Sequence, residues 1–356
     1  MPASDLSAGS LRPRANTTLT SRAMAVTSPG QRLELRDIPL VSPPPGWVRV
    51  DVVASGVCHA DLEYAANPKA SPDNPVVPGH EIAGTIAELG DHVSGWSVGD
   101  RVAVGWFGGS CGYCSNCRVG DVVHCEALQV PGSSYLGGWA QSVTIPANAL
   151  AHIPDGMDFF GAASMGCAGV TSFNAIRKAV LTPGSTVAVL GIGGLGHLAL
   201  QFAAKMGHRT VAIARGADRM ALARELGAHE FIDATEGLIG EVLAELGGAD
   251  LIVCTAQTTE PVAGLLGGLR PHGRLTLLGV DDGLITFPAA QIVMGELSVG
   301  GIVTGNTRDI EETMRFALTA GVRPLVEKMP LAAANEALHR IEKGHVAFRI
   351  VLDTNA

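Results

Sequence analysis

Between residues 186 and 206 an apolar strand, TVAVL, runs directly into the loop GIGGLG and from there into a helix. Leu195, Leu198, Ala199, Phe202, Ala203 and Met206 recur at helical spacing, and Gly207 stops the repeat. The texture continues downstream. TVAIA is the next strand, Asp218 is expected to cap a helix ending at Gly227, and FI, LIVCTA and RLTLLGV supply further strands, with PVAGLLGGL as a helix between the last two. Strands alternating with helices predict a parallel, doubly wound sheet over 171–308.

The preceding half reads differently. From residue 25 to 151, short β-type runs (WVRVDVV, VGDRVAVGW, AQSVTI) lie between Pro- and Gly-rich turns, which predicts a β-rich, partly barrel-like domain. Beyond Thr307 two amphipathic helices, RDIEETMRFALTA and AAANEALHRIEK, precede a last strand, FRIVLD, and these are expected to return to the first domain. The β-rich domain is therefore expected to be discontinuous, over 23–170 and 309–356, with a cysteine-rich lobe at 111–125. Residues 1–22 carry Ser, Thr, Pro and Arg without an apolar core, so they read as a flexible extension and not as a secretory signal.

A formal charge of −9 gives no electrostatic footprint for nucleic acid. The most apolar run, VAVLGIGGLGHLALQFAAKM, contains four glycines, His197, Gln201 and Lys205, too many interruptions for a membrane span. Partners are expected to be a small molecule and further copies of the chain, as a homotetramer or else a homodimer. Seven cysteines without an export signal read as reduced thiols in the cytoplasm.

Four of them form CGYCSNCRVGDVVHC: Cys111, Cys114, Cys117 and Cys125. Four thiolates at this spacing can close a tetrahedral shell around Zn²⁺ with no open position, so such a site holds structure and does no chemistry. An iron–sulfur cluster or disulfides are the alternatives, and the spacing and compartment favour zinc. His124, beside Cys125, reads as a surface bystander. Cys254, inside LIVC, reads as core.

Cys58 in GVCHADLE and Cys167 in GCAGVT would each pass for a small buried hydrophobe, were it not for PGHEIAGTIAELGDHVSGWSVGDRV between them, which carries His80 and Glu81. The Gly-His-Glu pattern, the four-cysteine lobe, GCAGVT and the glycine loop stand in the order found in one family. From about Arg22 to its end the chain resembles the zinc-dependent alcohol dehydrogenases of the medium-chain dehydrogenase/reductase superfamily. The resemblance implies a GroES-like catalytic domain joined to a Rossmann domain. It implies a catalytic zinc held by Cys58, His80 and Cys167, Glu81 behind the metal, and Asp61 orienting His80. Cys167 as the third ligand counts against the polyol branch, which often has a glutamate there. Two thiolates and a neutral imidazole leave one open position, as a Lewis acid needs in order to activate an alcohol.

The hydride then needs an acceptor. Gly191, Gly193, Gly194 and Gly196 let the backbone approach a pyrophosphate at a helix N-terminus. The second strand ends in Ala214 and Arg215, with no carboxylate for a ribose 2′-hydroxyl and a guanidinium suited to a 2′-phosphate. NADP(H) is therefore favoured, with NAD(H) as the alternative. By resemblance, His59 and Arg349 contact the pyrophosphate and Thr171 lies against the nicotinamide. Trp106 matches the family's bulky pocket aromatic.

Ala60 and Glu63 stand where the family usually has a Ser or Thr and often a His. Alanine cannot pass a proton, so a water is expected to bridge the gap, with Glu63 as terminal base. The expected function is reversible hydride transfer between an alcohol and NAD(P)⁺, giving an aldehyde or ketone. The alternatives are an aldehyde reductase or a polyol or other secondary-alcohol dehydrogenase.

Overall fold

The structure, a computed structural model, describes residues 19–356 apart from 258, 280–281, 345 and 347. The expected extension at 1–22 lies mostly outside the described residues. From Thr20 onward it is already strand: β1 (Thr20–Ala25) forms an antiparallel pair with β2 (Glu34–Pro39).

The first large sheet is built from β3 (Trp47–Val57), β4 (Glu81–Leu89), β5 (Arg101–Val104), β6 (Ser142–Pro146) and β7 (Ala151–His152). The long strand β3 alternates inward Val48, Val50 and Val52 with outward Arg49 and Asp51, the period-two pattern of a sheet with one buried face. The second sheet comprises β8 (Thr186–Leu190), β9 (Arg209–Ala214), β10 (Glu230–Asp233), β11 (Ala249–Cys254), β12 (Leu269–Leu277) and β13 (Ser298–Gly301). It is parallel throughout, in the order β10-β9-β8-β11-β12-β13. β8 is buried throughout and β11 everywhere but Asp250, and apart from Thr186 and Asp250 both are apolar, as suits strands covered on both faces. The chain then returns to the first sheet through β14 (Val326–Pro330) and β15 (Arg349–Asp353), giving the order β14-β15-β3-β4-β5-β7, with β6 beside the other half of β3. The architecture is thus α/β with a β-rich, discontinuous sheet and a doubly wound parallel one.

Register places the site. β3 and β4 are antiparallel with Gly56 opposite Glu81, and Ile350 of β15 lies opposite Val57. The end of β3, the start of β4 and the start of β15 therefore meet, and bring Cys58, His80, Glu81 and Arg349 to one place. Gly56 makes this approach possible: a Cβ there would fall 2.1 Å from a Glu81 carboxylate oxygen.

Helices α1 (Ala60–Ala65) and α2 (Ser115–Arg118) are short. A continuous helix at 159–177 follows: α3 (Phe159–Ser164), a π-helical segment at Met165–Gly169, and α4 (Val170–Arg177). Asp158 caps it by accepting hydrogen bonds from the backbone of Phe160 and Gly161. By length and composition this helix could cross a membrane, yet 83% of its most apolar window is buried in protein. The domain boundary expected at residue 170 falls inside it.

Around the parallel sheet stand α5 (Gly196–Lys205), α6 (Met220–Glu225), α7 (Ile239–Glu245) and α8 (Ala289–Gly295). Asp218 does not cap α6: it sits within a 3₁₀ turn at Ala217–Arg219 that follows the left-handed Gly216. PVAGLLGGL is also a 3₁₀ segment and not an α-helix, over Ala263–Gly268. Glycines 264, 267 and 268 weaken helix propensity, and Gly240 packs against the Gly264 carbonyl. α9 (Thr307–Ala320) starts on a reciprocal Asn306/Asp309 capping box and ends at left-handed Gly321. Arg177 pairs with Asp309 and Glu312, fastening α4 to α9. α10 (Ala334–Glu342) precedes β15.

Candidate active site and metal centres

Cys58 follows β3, His80 and Glu81 open β4, and Cys167 sits in the π-helical segment, a feature often found at functional sites. One ligand atom from each of these four side chains lies within 4.8 Å of those of the other three. Cys167 reaches the cluster because Gly105 and Gly166 let the end of β5 touch its turn; a Cβ on Gly105 would fall 1.9 Å from the Gly166 carbonyl oxygen.

Asp61, fully buried, binds three partners. It lies 2.9 Å from His80 Nδ1 and accepts the backbone N–H of Cys58 at 2.8 Å and of Gly79 at 3.2 Å. This fixes the tautomer of His80 and aims Nε2 into the cluster, where it has no hydrogen-bond partner among the described residues. Burial pulls the imidazole down, but the Asp61 charge and hydrogen bond together with Cys58 raise it well above its ordinary value. The two thiols compete for one proton. Its bond to Cys58 and its burial hold Cys167 well up, while the same bond draws Cys58 well down against burial. Two sulfurs of half-buried cysteines and an orphaned buried ring nitrogen are a donor set that a zinc ion fits.

Burial pushes Glu81 up to about 7, against the pull of Arg349. One of its oxygens pairs with Arg349 and the other has no partner among the described residues. Arg349, 5% exposed, also spans to the glycine loop: a Cβ at Gly194 would lie 2.8 Å from its guanidinium. The ligand-atom cluster and the loop are thereby joined through one side chain.

In the separate lobe, the ligand atoms of Cys111, Cys114, Cys117 and Cys125 also lie within 4.8 Å of one another. Cys125 Sγ is 3.6 Å from Cys111 Sγ and 3.9 Å from Cys114 Sγ. Disulfides need about 2.05 Å. Four sulfurs about 2.3 Å from a tetrahedral zinc stand about 3.8 Å apart. Backbone N–H groups of Cys111, Cys114 and Ala127 donate to these sulfurs at 3.3 to 3.4 Å. His124 faces solvent, paired with Asp121 at 2.8 Å.

The glycine loop follows β8, at the point where strand order reverses between β8 and β11. Gly191 has φ +88°, and a Cβ on Gly196 would fall 1.8 Å from the Gly191 carbonyl oxygen. A Cβ on Gly193 would meet nothing within 4 Å, so this stretch of backbone faces open space that a pyrophosphate can approach. Thr171 is buried, His59 exposed. Arg215 is exposed just past β9, and Gly216 donates its N–H to Asp233 at 2.9 Å.

Three neighbours went unnoticed in the sequence. Arg219 donates to the Ile192 carbonyl at 3.0 Å, one turn beyond Arg215. Buried His197 has Nδ1 2.9 Å from the Gly193 carbonyl, accepts the Leu325 N–H at Nε2 at 3.2 Å, and packs on Phe348. Its place right after GIGGLG was the available signal. Tyr64, half-buried, accepts the Trp106 indole N–H at 2.9 Å and stands edge-on to His80. Burial pushes its phenol up and the nearby Asp61, Cys167 and Cys58 charges add to this, against the Trp106 bond, so it stays protonated. Glu63 lies on the exposed side of α1, and Asp61 on the buried side. Cys254 is buried in β11, as core.

Two family profiles match the chain: "Alcohol dehydrogenase GroES-like domain" over residues 44–155 and "Zinc-binding dehydrogenase" over 194–319. Alcohol dehydrogenase notN of Aspergillus sp. (strain MF297-2) is 42% identical over 91% of this chain and 95% of its own length. Among solved structures, the alcohol dehydrogenase of the hyperthermophilic archaeon Aeropyrum pernix superposes with a TM-score of 0.84 at 30% identity, over 93% of this chain and 99% of that one. Acetophenone reductase from Geotrichum candidum, in complex with NAD, gives 0.80 at 28% identity, over 94% and 97%.

Proposed function

We infer the chemistry from one premise: the chain belongs to the zinc-binding medium-chain dehydrogenase/reductase superfamily, as an alcohol dehydrogenase. The reaction moves a hydride reversibly between an alcohol and a nicotinamide cofactor, giving an aldehyde or ketone. The observation that carries this reading is the convergence of Cys58, His80, Glu81 and Cys167 beside a glycine loop to which Arg349 joins them.

In this reading Cys58, His80 and Cys167 hold the catalytic zinc, which when bound serves as the Lewis acid that lowers the pKa of the alcohol. Asp61 orients His80. Glu81, its charge shared with Arg349, stands ready to approach the metal during ligand exchange. Cys111, Cys114, Cys117 and Cys125 hold a second, structural zinc. Gly191, Gly193, Gly194, Gly196, His59, Arg349 and Thr171 bind the dinucleotide, and Trp106 bounds the substrate pocket. Glu63, exposed, serves as terminal base through a water.

NADP(H) is the favoured cofactor. Ala214 supplies no carboxylate, Arg215 is free to meet a 2′-phosphate, and Arg219 adds a second guanidinium at the loop. The NAD complex of the Geotrichum enzyme makes NAD(H) the alternative. The exposed edge strand β13, with Val293 and Met294 of α8 exposed beside it, supports self-association through that face, to a tetramer or else a dimer. A cytoplasmic location would keep the seven cysteines reduced.

A panel of alcohols and aldehydes, assayed by absorbance at the reduced-nicotinamide band with each cofactor, tests the reading. Turnover of at least one alcohol/aldehyde pair is expected, with higher kcat/KM for NADP(H). No substrate-dependent change with either cofactor would refute it.

A further inference from the structure

We propose that the hydroxyl of Tyr64 donates a hydrogen bond to the reacting oxygen of the substrate, the contact that a hydroxyl at position 60 would otherwise make, while the proton route stays with the water and Glu63. This deepens the alcohol dehydrogenase reading and rests on it. Ala60 opens α1 and Tyr64 lies four residues on, so both side chains leave the same face of the helix. That face is the one turned to the ligand cluster: the Tyr64 ring meets the His80 imidazole edge-on, with centroids 5.9 Å apart and planes at 80°.

The phenol is oriented from the other side. Trp106, arriving from the end of β5, donates its indole N–H to Tyr64 Oη at 2.9 Å. An indole nitrogen only donates, so this bond occupies a lone pair of the phenol and leaves the phenol's own proton to be given elsewhere. Asp61 cannot take that part, since it is committed to His80 and to two backbone N–H groups. A fixed neutral donor beside the reacting oxygen holds a carbonyl in place and polarises it toward hydride. The indole that bounds the substrate pocket thus also aims the donor.

The test uses a carboxamide analogue of a short aldehyde, isobutyramide, titrated into the zinc-replete protein loaded with reduced cofactor and followed by calorimetry. Tyr64→Phe is expected to weaken binding roughly tenfold, the worth of one such hydrogen bond, with zinc content unchanged. Adding Ala60→Ser to that variant is expected to restore most of the affinity, and no recovery would overturn the equivalence of the two positions. Should Tyr64→Phe fail to fold, Trp106→Phe is expected to weaken binding in the same direction, and unchanged affinity there would overturn the proposal. Wild type and Tyr64→Phe binding alike overturns the role of Tyr64 alone. A wild-type protein that takes up the reduced cofactor but no carboxamide overturns the alcohol dehydrogenase reading as well.

Discussion

Arg349 is a single side chain on which two tasks converge. Its guanidinium neutralises a carboxylate that burial would otherwise protonate and lies against the backbone of Gly194. Removing one partner of a buried pair leaves the other charge uncompensated, at a cost of about 3–5 kcal/mol. Arg349→Met is therefore predicted to lower the unfolding free energy by an amount in that range, read from urea denaturation of the metal-loaded protein. Glu81→Gln, which keeps a hydrogen-bonding group, should cost less. Arg215 makes the opposite kind of prediction, since among the described residues no hydrogen bond or ion pair engages its exposed side chain. Arg215→Ala is expected to raise the KM for NADP⁺ about tenfold while leaving that for NAD⁺ nearly unchanged, because it removes one charge-assisted contact to a 2′-phosphate. Equal changes for both cofactors would remove the basis for preferring NADP(H).

Among the elements, the loop between β8 and α5 shows how sequence becomes function through packing. Gly196→Ala would drive a methyl group into the Gly191 carbonyl, so a loss of cofactor affinity well beyond tenfold is expected by fluorescence titration. His197 ties the same loop to the segment before β14. Burial pulls its pKa down to about 4, against the raising effect of the Gly193 carbonyl. Because the folded pKa lies below the unfolded value of about 6.5, the neutral ring contributes stability that is fully present above pH 6.5. That contribution fades as pH falls toward 4, to the extent of about 3 kcal/mol. Relative to wild type, His197→Gln should show a shallower fall in unfolding free energy between pH 7 and pH 5. The strand–loop–helix at 186–206 was legible because every level of its sequence agrees, whereas α7 and β14 were not placed. β14 (VEKMP) is partly exposed and lacks clean alternation, and it becomes a strand through its pairing with β15.

For the whole molecule, the two zinc-type ligand sets were legible to different depths. The lobe is local, with four cysteines in fifteen residues, and its spacing alone specifies the geometry. The set proposed as catalytic comes from residues 58, 80 and 167, and only sheet register and a π-helical turn bring it together; spacing could not reveal it, and resemblance to a family pointed to it. Tyr64 and Arg219 escaped because their roles depend on where Trp106 and Ile192 lie in space. The exposed β13 edge gives a further expectation: Val299→Lys, placing a charge on that strand, should lower the molar mass seen by light scattering, and an unchanged mass would move the interface elsewhere. The central claim is that one zinc ion sits on the Cys58–His80–Cys167 set and another in the lobe. Elemental analysis of the protein purified without added metal tests it most directly, comparing wild type with the double variant Cys58→Ala/His80→Ala. About two zinc ions per wild-type chain and about one per variant chain are predicted; equal zinc in both, or almost none in the wild type, would contradict the account.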